Sequence, residues 1–463
     1  MEFKKNKLKV DDSVETRMYD LMVELFPICR SITGDGVRKT FDILKKNIKI
    51  TTHEVSTGTK VFDWVIPKEW NITDAYIIDP DGKKILDFHK SNLHVVQYST
   101  PINKEIELDE LKSHIHTIPN RPKSIPYITS YYNEDWGFCM TNEQFSKLKD
   151  GVYKVVIDSK LKDGSLTYGE YYIEGKTKQE VIFSTYICHP SICNDNLSGI
   201  ILLVFLAQFL QTQNLTYSYR FIFVPETIGA ITWLNKNEDR LDYIKHGLLV
   251  TCVGDPGNFT YKKTRQENAD IDKIVISTLK KLKLNFNIQD FFPYGSDERQ
   301  FCSPGFNLPV GSLMRTPYRQ FVQYHSSEDN LEFVKKESLL ESLRVYLEVV
   351  YAIENKEDIP DLEVKKIESD TDTESFKSTN PKCEPQLGRR GIYRNFGFRR
   401  LDVESDETEK FELSIFWILN YSDGNHSLGY ISKKSGIDLN ILKQTALKLL
   451  KCNLLEKVNR ESN

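Results

Sequence analysis

Four side chains stand where chemistry could be done. His189 follows the apolar run "VIFSTYIC", Asp195 lies in "CNDNLSG", Glu226 closes "RFIFVPE", and His325 sits in "QYHSSEDN". In an open α/β sheet, ligands bind beyond the carboxyl ends of the strands, where the chain turns into the next helix. Two imidazoles and a carboxylate suit zinc and leave one coordination position for water. Zinc would lower the pKa of that water towards about 7. Glu226 beside it could take the proton as general base. Plainer readings stay open for each residue taken singly. His189 could be structural, Asp195 a residue favoured by the dipole of the helix that follows, and Glu226 the partner of an arginine. What favours a metal site is the occurrence of all of them at successive strand ends. Cys188 and Cys193 flank His189 as a C-x4-C pair. Thiolates bind zinc, but no second pair accompanies these two, and packing is their default role.

The elements that must position these residues follow from the hydrophobic pattern. From about Lys178, apolar runs such as "EVIFSTYI", "YRFIFVPE" and "GLLVTCVG" alternate with helical stretches such as "SGIILLVFLAQFLQTQ", "DIDKIVISTLKKL" and "VKKESLLESLRVYLEVVYAIEN". That alternation argues for parallel βαβ units. Upstream, Met18, Leu21, Met22, Leu25 and Phe26 form one helical stripe, and Val37, Phe41 and Leu44 a second. These two helices have no core of their own and are expected to pack on the α/β body. From about Thr52 to Tyr172 the period changes to alternation with aromatics and Asp-Gly turns, which reads as an inserted, mostly antiparallel β domain. Residues 359–405 are charged and Ser/Thr-rich, and their first part looks like a linker. "PKCEPQLGRRGIYRNFGFRR" has the aromatics of an ordered return across the body. Beyond it come helix, helix, a turn at Gly436, a helix from Asp438 and a short extended end, a winged-helix pattern.

The fold class expected is therefore α/β, with a mixed, mainly parallel sheet and helices on both faces. Residues 1–51 and 173–400 form its discontinuous body, 52–172 the inserted β domain and 405–463 the winged helix. The net charge of -4 over 463 residues supplies no basic field for nucleic acid or acidic membranes. Eight scattered cysteines do not make a dense disulfide scaffold. "MEFKKNKLKVDD" has no apolar core of a signal peptide. The apolar run "GIILLVFLAQFL" is too short to span a bilayer. A reduced, cytoplasmic protein is expected.

Beyond this pattern, the residues resemble a known family. "HPSICNDNLSGIILLVFLA", "YRFIFVPETIGA", "YGSDERQF" (Ser296 and Asp297) and "YHSSEDN" (His325, with Asp329 downstream) resemble the co-catalytic zinc aminopeptidases of the bacterial leucyl aminopeptidase superfamily. This likeness covers roughly residues 178–355. "EDWGFCM", "SPGF" and "PKCEPQLGRRGIY" extend it over nearly the whole chain. They resemble bacterial aminopeptidase-like proteins with a nested β domain of unknown function and a C-terminal winged helix, often labelled as polysaccharide-biosynthesis proteins. The departures are informative. Where the two-zinc enzymes carry a Glu-Glu pair, this chain has Glu226-Thr227, so the base is kept and a ligand of the second metal is lost. The next strand, "LLVTCVGD", offers Thr251 or Cys252 where a further aspartate is expected, with Asp255 displaced. The resemblance thus implies a single zinc held by His189, Asp195 and His325.

Substrate groups are sought in nearby loops. Arg265, Arg315, Arg319, Tyr294 and Tyr324 are the candidates, because arginine captures carboxylate or phosphate bidentately; solvated surface is the alternative for each. "NEDWGFC" could lean over the site as a lid, or Trp136 could anchor its own domain. Lys443, Lys448 and Lys451 give the third helix of the winged helix a weak basic face, short of the phosphate contacts that DNA binding needs. The function expected is a zinc-dependent, aminopeptidase-like hydrolase cleaving an amide or peptide bond, its substrate a small peptide or an amide-bearing sugar. The partners expected exclude a membrane and disfavour nucleic acid, and a homo-oligomer stays open. The rivals are an inactive descendant that binds a ligand or protein in the same cleft, and a regulator using its winged helix.

Overall fold

Along the strand Glu180–Tyr186, Val181 and Phe183 enter one hydrophobic core and Ile182 enters another. Strand residues alternate between faces, so a strand buried at every position must be covered on both sides. The computed structural model, which describes residues 13–355, 362, 374–392 and 407–458, has that arrangement. An eight-stranded sheet runs in the order Thr51–Ser56, Ser165–Ile173, Ser218–Val224, Glu180–Tyr186, Ile244–Leu249, Val310–Met314, Phe259–Lys262 and Phe286–Gln289. Its middle four strands are mutually parallel, and antiparallel pairings flank them. One face carries Ser13–Leu25, Asp35–Leu44, Ser198–Leu210, Asp270–Lys281 and Lys336–Asn355. The other carries Ile228–Lys236 and the C-terminal helices. The fold class is the mixed, mainly parallel α/β one expected from the hydrophobic pattern.

Ser198–Leu210 is apolar on every side and almost wholly buried, as a central helix must be. Together with the turn before it, it makes Cys193–Leu210, an 18-residue span apolar enough to cross a membrane by length and composition. Its 89% burial shows that the core accounts for that character.

A second sheet is wholly antiparallel, in the order Lys84–Asp87, Glu69–Ile78, Val152–Lys162 and Ile102–Glu107. It has its own core of Ala75, Ile77, Ile106, Phe138, Tyr153, Val155 and Ile157. The expected boundaries of the inserted block shift here. Thr51–Ser56 is the edge strand of the large sheet and Ser165–Ile173 the strand next to it, because alternation marks a strand without saying which sheet it joins. Val152–Lys162 and Ser165–Ile173, consecutive in the chain, lie in different sheets.

At the C-terminal end, Glu407–Tyr421, Leu428–Ser435 and Leu439–Lys451 form three helices. Gly436 supplies the left-handed turn (φ 71°) and Asp438 caps the last helix. Ser375–Ser378 pairs with both Asp423–Ser427 and Leu455–Lys457, so this unit starts some thirty residues before the expected 405. "MEFKKNKLKVDD" and most of the charged 359–405 segment, including "YRNFGFRR", lie outside the described residues. The described part of the return segment crosses the body: Arg389 and Arg390 bind Asp63, and Trp64 donates to the Glu384 carbonyl (2.8 Å).

Candidate metal centre

Two loops at the carboxyl ends of parallel strands, one after Glu180–Tyr186 and one after Val310–Met314, bring His189, Asp195 and His325 together, with ligand atoms all within 4.8 Å of one another. Asp195 Oδ2 lies 3.0 Å from His325 Nε2 and 3.8 Å from His189 Nε2. Apart from this close approach to each other, neither Asp195 Oδ2 nor His325 Nε2 meets a hydrogen-bond partner among the described residues, although both atoms are buried. Buried polar atoms are normally satisfied, so converging unsatisfied donors are what a cation site presents. Tetrahedral zinc bonds of about 2.0–2.2 Å place ligand atoms about 3.3 Å apart, close to the spacing seen. The donor set fits zinc, with three protein ligands.

Each ligand is held from behind. Asp329 accepts the backbone N–H groups of Asn194 (2.6 Å) and Asp195 (2.9 Å). Tyr186 donates to Asp195 Oδ1, and its hydroxyl also lies 2.7 Å from Thr251 Oγ1. Burial opposes the charged form of Asp195, but the two imidazoles and the Tyr186 hydroxyl hold its pKa below the ordinary value. His189 is lowered to about 4 by burial above all, with His325 and Arg30 adding to the effect, so it is a neutral imidazole ready to ligate. Arg30, wholly buried, donates through Nε to the His189 carbonyl (2.9 Å) and through Nη1 to that of Leu25 (2.7 Å). Tyr324 stacks on His325 with ring centroids 3.9 Å apart. His325 (φ 50°) and Thr227 (φ 62°) both hold left-handed backbone, costing about 1–3 kcal/mol each, as strained residues at functional sites do.

Glu226 stands 3.9 Å from His189 Nε2 and accepts from Ser296 Oγ (3.2 Å). Its backbone N–H donates to Cys188 Sγ (3.3 Å). Burial, then the neighbouring Asp297 and Asp195 carboxylates, raise its pKa well above the ordinary value. Asp297 is itself raised to about 7 by burial and accepts the Thr227 N–H (2.7 Å). Asp255 is engaged elsewhere, accepting from Thr316, Gly257 and Asn194. Both flanking cysteines are buried in the cores, and all eight cysteines are free.

The substrate candidates divide. Tyr324 is part of the centre. Arg319 and Tyr294 lie together, with the guanidinium 5.4 Å from the ring centroid, on the two loops that also carry His325 and Ser296. Arg265 is corrected: it is a strut to the winged helix, binding Asp423 (2.8 Å) and Asn420 (3.0 Å). Arg315 is corrected likewise, buried and spent on Glu341 (2.8 Å) and the Gly257 carbonyl (3.0 Å). Both corrections have one cause: nothing in the sequence near an arginine shows which distant carboxylate will meet it. The "NEDWGFC" stretch is not the lid. Trp136 stacks on His114 (3.6 Å) within the small sheet's core. The part that reaches the centre is 125–131. Tyr127 packs on His189 and His325 (5.1 Å each), its N–H donates to the His325 carbonyl (2.9 Å), and Ile125 and Ser327 exchange bonds. Arg30, Tyr127 and Tyr186 carried no motif; only burial beside the ligands reveals them.

Comparison with known proteins agrees with this architecture. Residues 19–356 match the family described as a domain of unknown function, DUF4910, and residues 374–457 match a winged helix-turn-helix. A Clostridium acetobutylicum protein, named as a candidate polysaccharide biosynthesis protein with aminopeptidase-like domain, is 52% identical over 97% of this chain and 98% of its own. A crystal structure of a candidate peptidase from the same organism is 50% identical over 96% of this chain and 97% of that one, with a TM-score of 0.73. A zinc aminopeptidase from Bacillus subtilis shares the fold at 12% identity, covering 74% of this chain and 96% of its own, with a TM-score of 0.55. The chain belongs to the DUF4910 family, aminopeptidase-like in fold and extended by a C-terminal winged helix.

Proposed function

We propose that this protein is a zinc-dependent hydrolase that cleaves an amide or peptide bond, with one ion held by His189, Asp195 and His325 and Glu226 as general base. The observation that carries the reading is the pair of buried, unsatisfied atoms, Asp195 Oδ2 and His325 Nε2, facing each other beside His189. When bound, zinc supplies a Lewis acid for a carbonyl oxygen and acidifies water near it. The remaining work falls to the chain. Glu226, steadied by Ser296, takes a proton from water and passes it to the leaving amine. Burial, and then Asp297 and Asp195, raise the proton affinity of Glu226, which suits a group that must hold a proton between those two acts. Tyr127 and the inserted block cover the two imidazoles and exclude water. A small peptide or an amide-bearing sugar is the substrate we propose; the name of the C. acetobutylicum relative supports the sugar. The eight free cysteines support a reducing, cytoplasmic setting.

Glu226→Gln tests the mechanism. The variant should keep about one zinc per chain by elemental analysis and lose turnover of aminoacyl amides by about 100-fold or more. His189→Ala should lose the metal. A folded wild-type sample without bound zinc sinks the proposal, as does unchanged hydrolysis by the Gln variant. A second reading, an inactive ligand-binding descendant, is favoured by Thr227 and Thr251 standing where the two-metal pattern has carboxylates; it predicts no turnover in the zinc-loaded wild type.

A further inference from the structure

Arg265, Arg299, Arg315 and Arg319 lie in or beside loops of the large sheet, and the first three are neutralised. Arg265 meets Asp423, Arg299 meets Glu384 and Arg315 meets Glu341, at 2.7–2.8 Å. Arg319, half-buried, has neither an ion pair nor a hydrogen bond among the described residues. Its guanidinium lies over Tyr294, 5.4 Å from the ring centroid, a contact that uses none of its N–H groups as hydrogen-bond donors. The backbone holds it there at a cost. Gln320 N–H donates to the Pro317 carbonyl (3.0 Å), closing a turn that has Arg319 at its third position with φ 66°. Turns with positive φ at that position normally take glycine or asparagine.

This cation neighbours an acidic centre. Tyr294, under its guanidinium, stands two residues before Ser296, whose hydroxyl donates to Glu226 (3.2 Å), and Arg319 shares its loop with Tyr324 and His325, which stack on each other. Arg319 therefore joins the two loops that flank Asp195, Glu226 and Asp297. One guanidinium presents a planar fork with a single positive charge, the complement of a carboxylate; a phosphate dianion would call for more cations.

We infer that Arg319 is the receptor for a carboxylate on the substrate, so that the substrate class is an amide carrying a carboxylate several bonds from the carbonyl to be cleaved. This rests on the zinc reading above and adds to it the substrate's charge. The test uses the zinc-loaded full chain and straight-chain hydroxamic acids ending in a carboxylate, in a series of chain lengths, each against its methyl ester, with affinity read by calorimetry. At one best length the acid should bind about tenfold or more tighter than its ester, the size expected of a charge-assisted pair. Arg319→Met, which keeps the stacking surface, should abolish that gain while binding the esters as the wild type does, and Arg319→Lys should keep part of it. Acid and ester binding alike at every length, or a gain that survives in Arg319→Met, overturns the inference and leaves the zinc site standing. Failure of every hydroxamate to bind overturns the zinc reading and the inference with it.

Discussion

At the scale of the residue, the centre depends on groups that never touch it from the front. Arg30 supports the His189 backbone with no carboxylate partner among the described residues, and burial lowers its pKa to about 10. Arg30→Met leaves the buried carbonyls of Leu25 and His189 short of donors, which costs about 1–3 kcal/mol. We expect a lower Tm by calorimetry and a zinc affinity reduced by about tenfold in chelator competition, the scale of outer-shell losses. Unchanged zinc affinity would remove Arg30 from the site. Of the four residues of the proposed machinery, His189 and Glu226 stand out in sequence because they follow or close an apolar run and Asp195 because it opens the next helix, while His325, in a polar loop, is marked chiefly by the family resemblance. Arg265 and Arg315 were misplaced, and Arg30, Tyr127 and Tyr186 unmarked. Their partners lie tens to hundreds of residues away, and only tertiary packing selects them.

At the scale of the element, the sheet is as stable as its central helix. Leu203 on Ser198–Leu210 is fully buried in the largest core. Leu203→Ala should cost about 2–5 kcal/mol in denaturant unfolding; a loss under 1 kcal/mol would mean that the site collapses easily. Glu69 joins three elements: its carboxylate accepts from Arg38 of Asp35–Leu44 (2.7 Å) and from the N–H of Ser165 (3.0 Å) on the large sheet. The Arg38 hydrogen bonds, against burial, lower its pKa to about 2. An unfolded glutamate titrates near 4.3. The folded value is the lower one, so this stability is complete above about pH 5 and is lost as pH falls towards 2. Discounted for the solvent around Arg38, it amounts to about 1–2 kcal/mol. Glu69→Gln should therefore lower Tm at pH 7 and much less at pH 3; an equal loss at both would refute the ion-pair origin. Element types were readable from period and composition. Sheet membership was not, since the strands 51–56 and 165–173 alternate like those of the small sheet they leave.

At the scale of the whole molecule, the winged helix is docked rather than tethered. Arg265 binds Asp423, Lys434 binds Glu267 (2.6 Å), and Phe416 packs on Tyr294 (5.2 Å). Arg265→Ala should raise amide exchange in Glu407–Tyr421 about tenfold while leaving Lys336–Asn355 unchanged, as expected of a locally opening unit; equal exchange in both variants would assign the docking to the apolar contacts alone. The inserted block is joined to the body differently. Its Tyr127 N–H is bonded to the carbonyl of His325, and Ile125 is zipped to Ser327. Lifting this stretch must pull on the His325 loop, so under the zinc proposal admission of a bulky substrate and retention of the ion would draw on the same motion. The timescale of zinc escape would then set an upper bound on how long the cleft can stand wide, and slow escape would go with substrates small enough to enter without that motion.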